Sequence, residues 1–304
     1  MTIQDFSTPG FSLRQLQYAV AVADTGSFVA AASLCGVSQP SLSAQVAKLE
    51  RVFDVPLFVR GARGVLLSSA GEQLIPLFRN ALRAGEEVEV AASVLRDPNA
   101  VPLRIAVIPT VAPYLVPEFT RRMMKLGSRI HWLELQTAVA EATLASGKAD
   151  AILIADPPSD ASLTDRPLGW DPFMLILPKG YSAPAVVSAD WLKDRPLLLL
   201  DDGHCLREHT LSLCSLPAGL QSPFRATSLG TMVQMVSSGF GLSIVPSMAV
   251  DVETARADIE VRPIDDSGIG RTLRLAYAAS HPLAGRLAEV AAELENLVEG
   301  LPAV

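Results

Sequence analysis

The hydrophobic periodicity changes character near residue 100, and no single simple architecture accommodates both halves. Ahead of that point apolar residues recur at helical spacing. Leu13, Leu16, Val20 and Ala23 mark one helix, stopped by Gly26, and an Ala-rich second runs over Phe28–Leu34. Cys35-Gly36-Val37 reads as a tight turn. Ser38 then caps a third helix to about Phe53, with Pro40 in the first turn, where its missing N–H costs nothing. Leu57–Leu67 reads as two short strands around residues 60–64. Ser69-Ala70-Gly71-Glu72 has capping-box spacing and opens a long helix to Arg96. Pro76 is expected to loosen that helix. Leu74, Leu77, Ala81, Val88, Ala91 and Leu95 give it one apolar stripe that calls for a partner helix, as a dimer seam supplies. Asp97-Pro98-Asn99 makes a hinge.

From Val101 onward, strand-like runs alternate with helices of about ten residues. Strands are predicted at Leu103–Ile108, Ile130–Leu135, Ala151–Ile154, Phe173–Leu177, Leu197–Leu200, Phe224–Ala226, Leu242–Val245, Ile259–Val261 and Leu273–Ala278, with a closing helix over Ala284–Glu299. The expected division is an all-α helical domain with a wing over 1–68, a linker helix and hinge over 69–99, and an α/β domain over 100–304. Nine strands suggest two lobes in the last: one from 100–168 and 271–304, the other from 169–270.

Composition narrows the function classes. The chain has 304 residues, 49% of them apolar, and three cysteines, too few for a disulfide framework. There is no apolar run of about 20 residues to span a membrane and no basic-then-apolar leader, so the expected compartment is the reducing cytoplasm. The net charge of −7 argues mildly against nucleic acid. Residues 1–68 carry five Lys and Arg against four Asp and Glu, so the acidic excess lies in the remainder. Neither a cofactor nor a metal is expected.

Residues 26–58 nevertheless have the pattern of a helix-turn-helix. Leu42, Val46 and Leu49 would face the core, leaving Gln39, Ser41, Ser43, Gln45 and Lys48 outside. Gln can pair with an adenine edge and Ser with base edges or phosphate, and the second helix of such motifs enters the major groove. Arg60 and Arg63 of the wing are placed to touch phosphate or the minor groove. An ordinary three-helix bundle with a Ser- and Gln-rich face is the competing reading.

Two cysteines, Cys205 and Cys214, share one segment after a buried strand. A helix beginning near Cys205 would offer its sulfur oriented N–H groups and the positive end of the dipole, favouring thiolate. His204 could add a proton donor or a positive charge. Thiolate is the form that peroxide attacks, giving a sulfenic acid that a second thiol converts to a disulfide. A continuous helix would hold the two residues about 13 Å apart. A disulfide needs Cα atoms within about 7 Å, so oxidation would have to refold the segment. Taken alone, both cysteines read equally as buried small hydrophobes, as Cys35 does.

The stretches Gly26-Ser27-Phe28-Val29-Ala30-Ala31-Ala32, Val37-Ser38-Gln39-Pro40-Ser41-Leu42-Ser43 and Leu57-Phe58-Val59-Arg60 resemble the LysR-type transcriptional regulators. That family implies a winged helix-turn-helix, a linker helix and a two-lobed regulatory domain like a periplasmic binding protein. Asp202-Gly203-His204-Cys205-Leu206-Arg207, Ile108-Pro109-Thr110-Val111-Ala112-Pro113-Tyr114-Leu115 and Phe224-Arg225-Ala226-Thr227-Ser228-Leu229 resemble its hydrogen-peroxide-sensing OxyR subfamily. The resemblance implies that Cys205 is the peroxidatic cysteine and Cys214 the resolving one. It further implies that Thr110, Thr137 and His204 hold peroxide and that Arg271 stabilises the thiolate. The implied partners are double-stranded promoter DNA, hydrogen peroxide as signal, further copies of the chain as a dimer of dimers, and RNA polymerase; a membrane is not among them. Read from the residues alone, Thr110 and Thr137 could instead cap helices, and Arg271 could be a solvated strand-end charge. Three features depart from the pattern: two acids, Asp201 and Asp202, ahead of Cys205; the helix breakers Pro217 and Gly219 after Cys214; and the nearly neutral first domain. A LysR-type regulator with a small organic effector between its lobes, and a thiol peroxidase, are the alternative functions.

Overall fold

The computed structural model describes residues 10–61, 64–97, 101–193, 195, 197–213, 225–265 and 268–300. The chain divides into two compact units, Met1–Ala92 and Ser93–Val304. In the first, α1 (Leu13–Thr25), α2 (Phe28–Leu34) and α3 (Gln39–Phe53) precede an antiparallel wing, β1 (Phe58–Gly61) and β2 (Gly64–Leu67), and the long α4 (Ser69–Arg96) follows. Each short helix begins on a serine. Ser12 forms a reciprocal box with Gln15, while the Ser27 and Ser38 hydroxyls accept from the Ala30 and Ser41 amides. Tyr18, Val22, Ala31, Leu42 and Val46 close one apolar cluster. Leu16, Leu49 and Leu57 close a second with Ile75 and Phe78 of α4, and the Phe53 and Phe78 rings stack at 5.6 Å.

Two expectations for α4 change. Its cap is Ser68, whose hydroxyl accepts from the Gly71 amide at 3.0 Å, because the Ser68 amide is itself held in place by the Leu57 carbonyl. Its apolar residues also divide: Leu74 and Ala81 pack into the small domain's own core, whereas Leu77, Val88 and Leu95 are exposed. The helix continues through Pro76.

The second unit runs β3 (Leu103–Val107), α5 (Ala112–Lys125), β4 (Ile130–Glu134), α6 (Thr137–Ala145), β5 (Ala151–Ile154), β6 (Thr164–Pro178), α7 (Ala189–Lys193), β7 (Leu199–Leu200), α8 (Cys205–Leu213), β8 (Arg225–Ala226), α9 (Leu229–Ser237), β9 (Ser243–Pro246), α10 (Val250–Thr254), β10 (Ile259–Pro263), β11 (Gly270–Tyr277) and α11 (Ala284–Glu299). β3 lies parallel between β4 and β5, and β11 runs antiparallel to both β5 and β6. β6 is the shared strand. Its residues up to Pro172 pair with β11, and those from Phe173 onward pair with β9 and β10. It is 15 residues long, against the five predicted, since Pro167 and Gly169 signal a break. The register shift opposite them, at Leu273 and Arg274, accommodates both within the ladder. Helices α7 to α10 and strands β7 to β10 enclose a core that includes Leu175, Ile176, Leu198, Leu206, Val233 and Ile244.

Candidate redox site and nucleic-acid interface

Leu197–Leu200 is buried and delivers the chain into a turn at Gly203, whose φ of +91° favours glycine. A Cβ there would lie 2.5 Å from the Gln136 Oε1 atom, so glycine also permits close approach of the two segments. Helix α8 starts at once with Cys205, which is a free thiol. Arg207 fastens this helix start: it is buried, donates to the Leu200 carbonyl at 3.1 Å and pairs with Asp202 at 2.9 Å. Asp202 is thereby spent on Arg207. The second cysteine of the predicted pair, Cys214, lies outside the described residues.

Arg271 is the largest fully buried side chain, not a solvated strand-end charge. Its Nε donates to Asp171 Oδ2 at 3.0 Å, Nη1 to the Thr110 hydroxyl at 2.6 Å and Nη2 to the Thr110 carbonyl at 2.9 Å. Asp171 also accepts from the Met248 amide at 3.2 Å. The guanidinium is therefore a fixed cation, oriented from both sides, and its positive charge favours the thiolate of Cys205.

Four influences meet at that sulfur. Burial pushes the thiol above its ordinary range, and Asp156 pushes it the same way; the Arg271 charge and the Leu206 amide pull it down. Burial prevails, so the helix start alone does not make a resting thiolate, contrary to the expectation from sequence. His204 is buried too, and desolvation lowers its pKa despite Asp201. Burial thus works against a positive charge on this imidazole.

Ile108, Pro109, Thr110, Gln136, Thr137, Gly203, His204 and Cys205 line one crevice of about 160 Å³, so tight that no water-sized sphere fits without side-chain movement. Neither threonine caps a helix. Thr110 precedes the Val111 cap of α5, and Thr137 is the first residue of α6, with its buried hydroxyl lacking a hydrogen-bond partner. An unsatisfied buried hydroxyl beside a thiol, an imidazole and a fixed cation suits a small polar guest with both donors and acceptors. Thr110, Thr137, His204, Cys205 and Arg271 thus come together around one point, although they are far apart in sequence. Sequence reasoning missed Asp171 and Asp156. Neither carried a signal: Asp171 precedes the predicted strand Phe173–Leu177, and β6 holds a second acid, Asp165.

On the helix-turn-helix, Gln39, Ser41 and Lys48 are exposed and Ser43 is half-buried. Gln45 is less available than expected, because its side-chain oxygen accepts from Gln15 Nε2 at 3.0 Å, tying α3 to α1. Arg14, not anticipated, lines a depression of about 310 Å³ with Ser41 and Gln45. The Arg60 backbone belongs to β1, and Arg63 lies outside the described residues. Among the described residues, no helix is long and apolar enough to cross a membrane.

Comparison with known proteins gives the family. Residues 13–72 match the bacterial regulatory helix-turn-helix protein, lysR family, and residues 96–298 match the LysR substrate binding domain. The chain is 35% identical over 297 residues to the DNA-binding transcriptional dual regulator OxyR of Escherichia coli K12, covering 95% of this chain and 96% of that one. It is 36% identical over 300 residues to a probable hydrogen peroxide-inducible genes activator of Streptomyces viridosporus, covering 96% of each. Among solved structures, a full-length OxyR of Pseudomonas aeruginosa with a Cys-to-Asp substitution superposes with a TM-score of 0.75 at 33% identity, covering 95% of each chain. A peroxide-bound Cys-to-Ser OxyR of Corynebacterium glutamicum gives 0.64 at 29% identity, covering 97% of this chain and 94% of that one. The chain belongs to the LysR family of bacterial transcriptional regulators, in its OxyR branch.

Proposed function

We propose that this chain binds promoter DNA through α3 and its wing and alters transcription when hydrogen peroxide oxidises Cys205. One observation carries the reading: the Cys205 sulfur sits at the start of α8, under the charge of the buried Arg271 guanidinium, in a crevice that holds the unpartnered Thr137 hydroxyl. Peroxide held by Thr110, Thr137 and His204 would lie against the sulfur. The Cys205 proton must leave first, a loss that Arg271 makes easier. The thiolate then attacks one peroxide oxygen, an S–O bond forms, the O–O bond breaks, and the departing hydroxide takes up a proton to become water. The Cys214 thiolate attacks the resulting sulfenic acid, forming S–S and releasing a second water. Two thiols and one peroxide thus give one disulfide and two waters.

Helix α8 spans Cys205–Leu213 in this reduced form, and a disulfide to Cys214 is incompatible with a straight helix between the two. Oxidation therefore unwinds α8, and that bistable segment is the switch. The proposed DNA contacts are Gln39, Ser41, Ser43, Gln45, Lys48, Arg60 and Arg63. The proposed division is 1–68 for DNA, 69–99 for the linker and 100–304 for sensing, in a cytoplasmic dimer of dimers that engages RNA polymerase. The direct test is a promoter assay with Cys205→Ser. Loss of the peroxide response with retained DNA binding is expected; an unchanged response contradicts the proposal.

A further inference from the structure

The chemistry above leaves two polar residues beside the site without a role. Asp156 follows β5, on the sheet of β3, β5 and β11. His209 lies four residues after Cys205 on α8, which places both on one face of that helix. The His209 Nε2 and Asp156 Oδ1 atoms are 3.0 Å apart, and the imidazole packs against the Phe173 ring at 5.6 Å between centroids. Arg271 and Arg274 of β11 also face Asp156. The contact joins the middle of the segment that must unwind to the bend that follows β5.

We propose that Asp156 and His209 form a latch that holds α8 in its reduced, helical position and thereby sets how readily Cys205 reaches Cys214. This rests on the thiol-switch reading above. The latch exists only while α8 keeps His209 over Asp156. By linkage, any contact made in the helical form and lost in the disulfide form shifts the equilibrium toward the dithiol. Asp156 acts a second time, because its negative charge opposes ionisation of Cys205 and partly offsets Arg271. Both effects desensitise the switch. They are separable, since His209 contributes to the first alone. Asp156 and His209 are positioning residues: neither touches the reacting atoms.

The pair is partly exposed, with side-chain accessibilities of 26% and 40%, so its effect is modest. Removing it should raise the equilibrium constant for the Cys205–Cys214 disulfide, measured in dithiothreitol redox mixtures on the full chain, by about two- to fivefold. Asp156→Asn should show that increase and also lower the pH midpoint of Cys205 alkylation. His209→Gln should raise the equilibrium constant similarly without lowering the alkylation midpoint. The double variant should not exceed Asp156→Asn, and Asp156→Glu, which can keep the pair, should restore values toward those of the parent. Retained promoter binding shows that each variant is folded. Parent-like equilibrium constants in both single variants, or fully additive effects in the double, overturn the latch. A parent chain that forms no Cys205–Cys214 disulfide in any mixture contradicts the underlying switch instead.

Discussion

At the scale of single residues, the reactivity of Cys205 is a contest between burial and one cation. Burial and Asp156 disfavour ionisation of the sulfur; Arg271 opposes them from a position fixed by Asp171 and both oxygens of Thr110. Because the thiol is shifted upward, its alkylation rate should climb with pH and reach half-maximum above the ordinary cysteine range. Arg271→Met should move that midpoint higher still, and Arg271→Lys, which keeps charge but loses the fork, should fall between. Arg271→Met should also cost about 3–5 kcal/mol in urea unfolding, since it leaves the Asp171 carboxylate buried and unpaired. An unshifted alkylation midpoint in Arg271→Met would remove this arginine from the account. In the sequence, Cys205 and His204 stand out through the predicted helix start, whereas Arg271 was visible only by resemblance to relatives. Their local residue patterns do not reveal that Arg271 is buried or that Asp171 orients it, because those partners are 100 positions apart. The two acids that looked threatening, Asp201 and Asp202, matter less than a third, Asp156, which reaches the sulfur only through the fold.

At the scale of elements, what the sequence disclosed was local chemistry. The Ser38 cap, the turn at residues 35–37 and the Leu42, Val46 and Leu49 face of α3 follow from spacing alone, and so do most buried strands. What it concealed was nonlocal. β6 continues through Pro167 and Gly169 because its partner β11 shifts register there. Gln45 is drawn onto Gln15 by the packing of α3 against α1. A second nonlocal device ties β3 to the β5 start. Buried Asp150 accepts from the Arg104 amide at 2.7 Å and pairs with the Arg104 and His281 side chains. Burial pushes its carboxyl up, but hydrogen bonds from His281 and Arg104 more than reverse this, leaving it at about 2. The folded pKa lies below the ordinary aspartate value of 3.8, so the stabilisation is present above that value and is lost as pH falls toward 2. At 1.36 kcal/mol per pKa unit this amounts to roughly 2 kcal/mol. Asp150→Asn should therefore lower neutral-pH stability and flatten the unfolding curve between pH 4 and 2. A parent-like slope across that window would show that Asp150 does not drive the acid limb.

At the scale of the whole molecule, a sensor must pass a local refolding to bound DNA, and an oligomer gives it something to rearrange. Leu77, Val88 and Leu95 of α4 are 58%, 69% and 88% exposed. At about 100° per residue their spacings of 11 and 18 bring all three within about 20° of one face. Three large apolar side chains aligned on an open face support a seam with a second copy. The sequence showed that stripe but could not separate it from Leu74 and Ala81, which occupy neighbouring turns and serve the chain's own core. Leu77→Glu with Val88→Glu should weaken self-association at least tenfold by analytical ultracentrifugation while leaving the Leu16, Ile75 and Phe78 core intact. Association unchanged by both charges would place the seam elsewhere. The central claim remains chemical, that peroxide acts by joining Cys205 to Cys214. Intact and peptide mass spectrometry of the reduced full chain after stoichiometric peroxide tests it most directly. The account predicts loss of the mass of two hydrogens and a cross-linked peptide pair containing Cys205 and Cys214, absent in Cys205→Ser. Oxygen retained on Cys205 with Cys214 still alkylatable, or no change at either thiol, would contradict it.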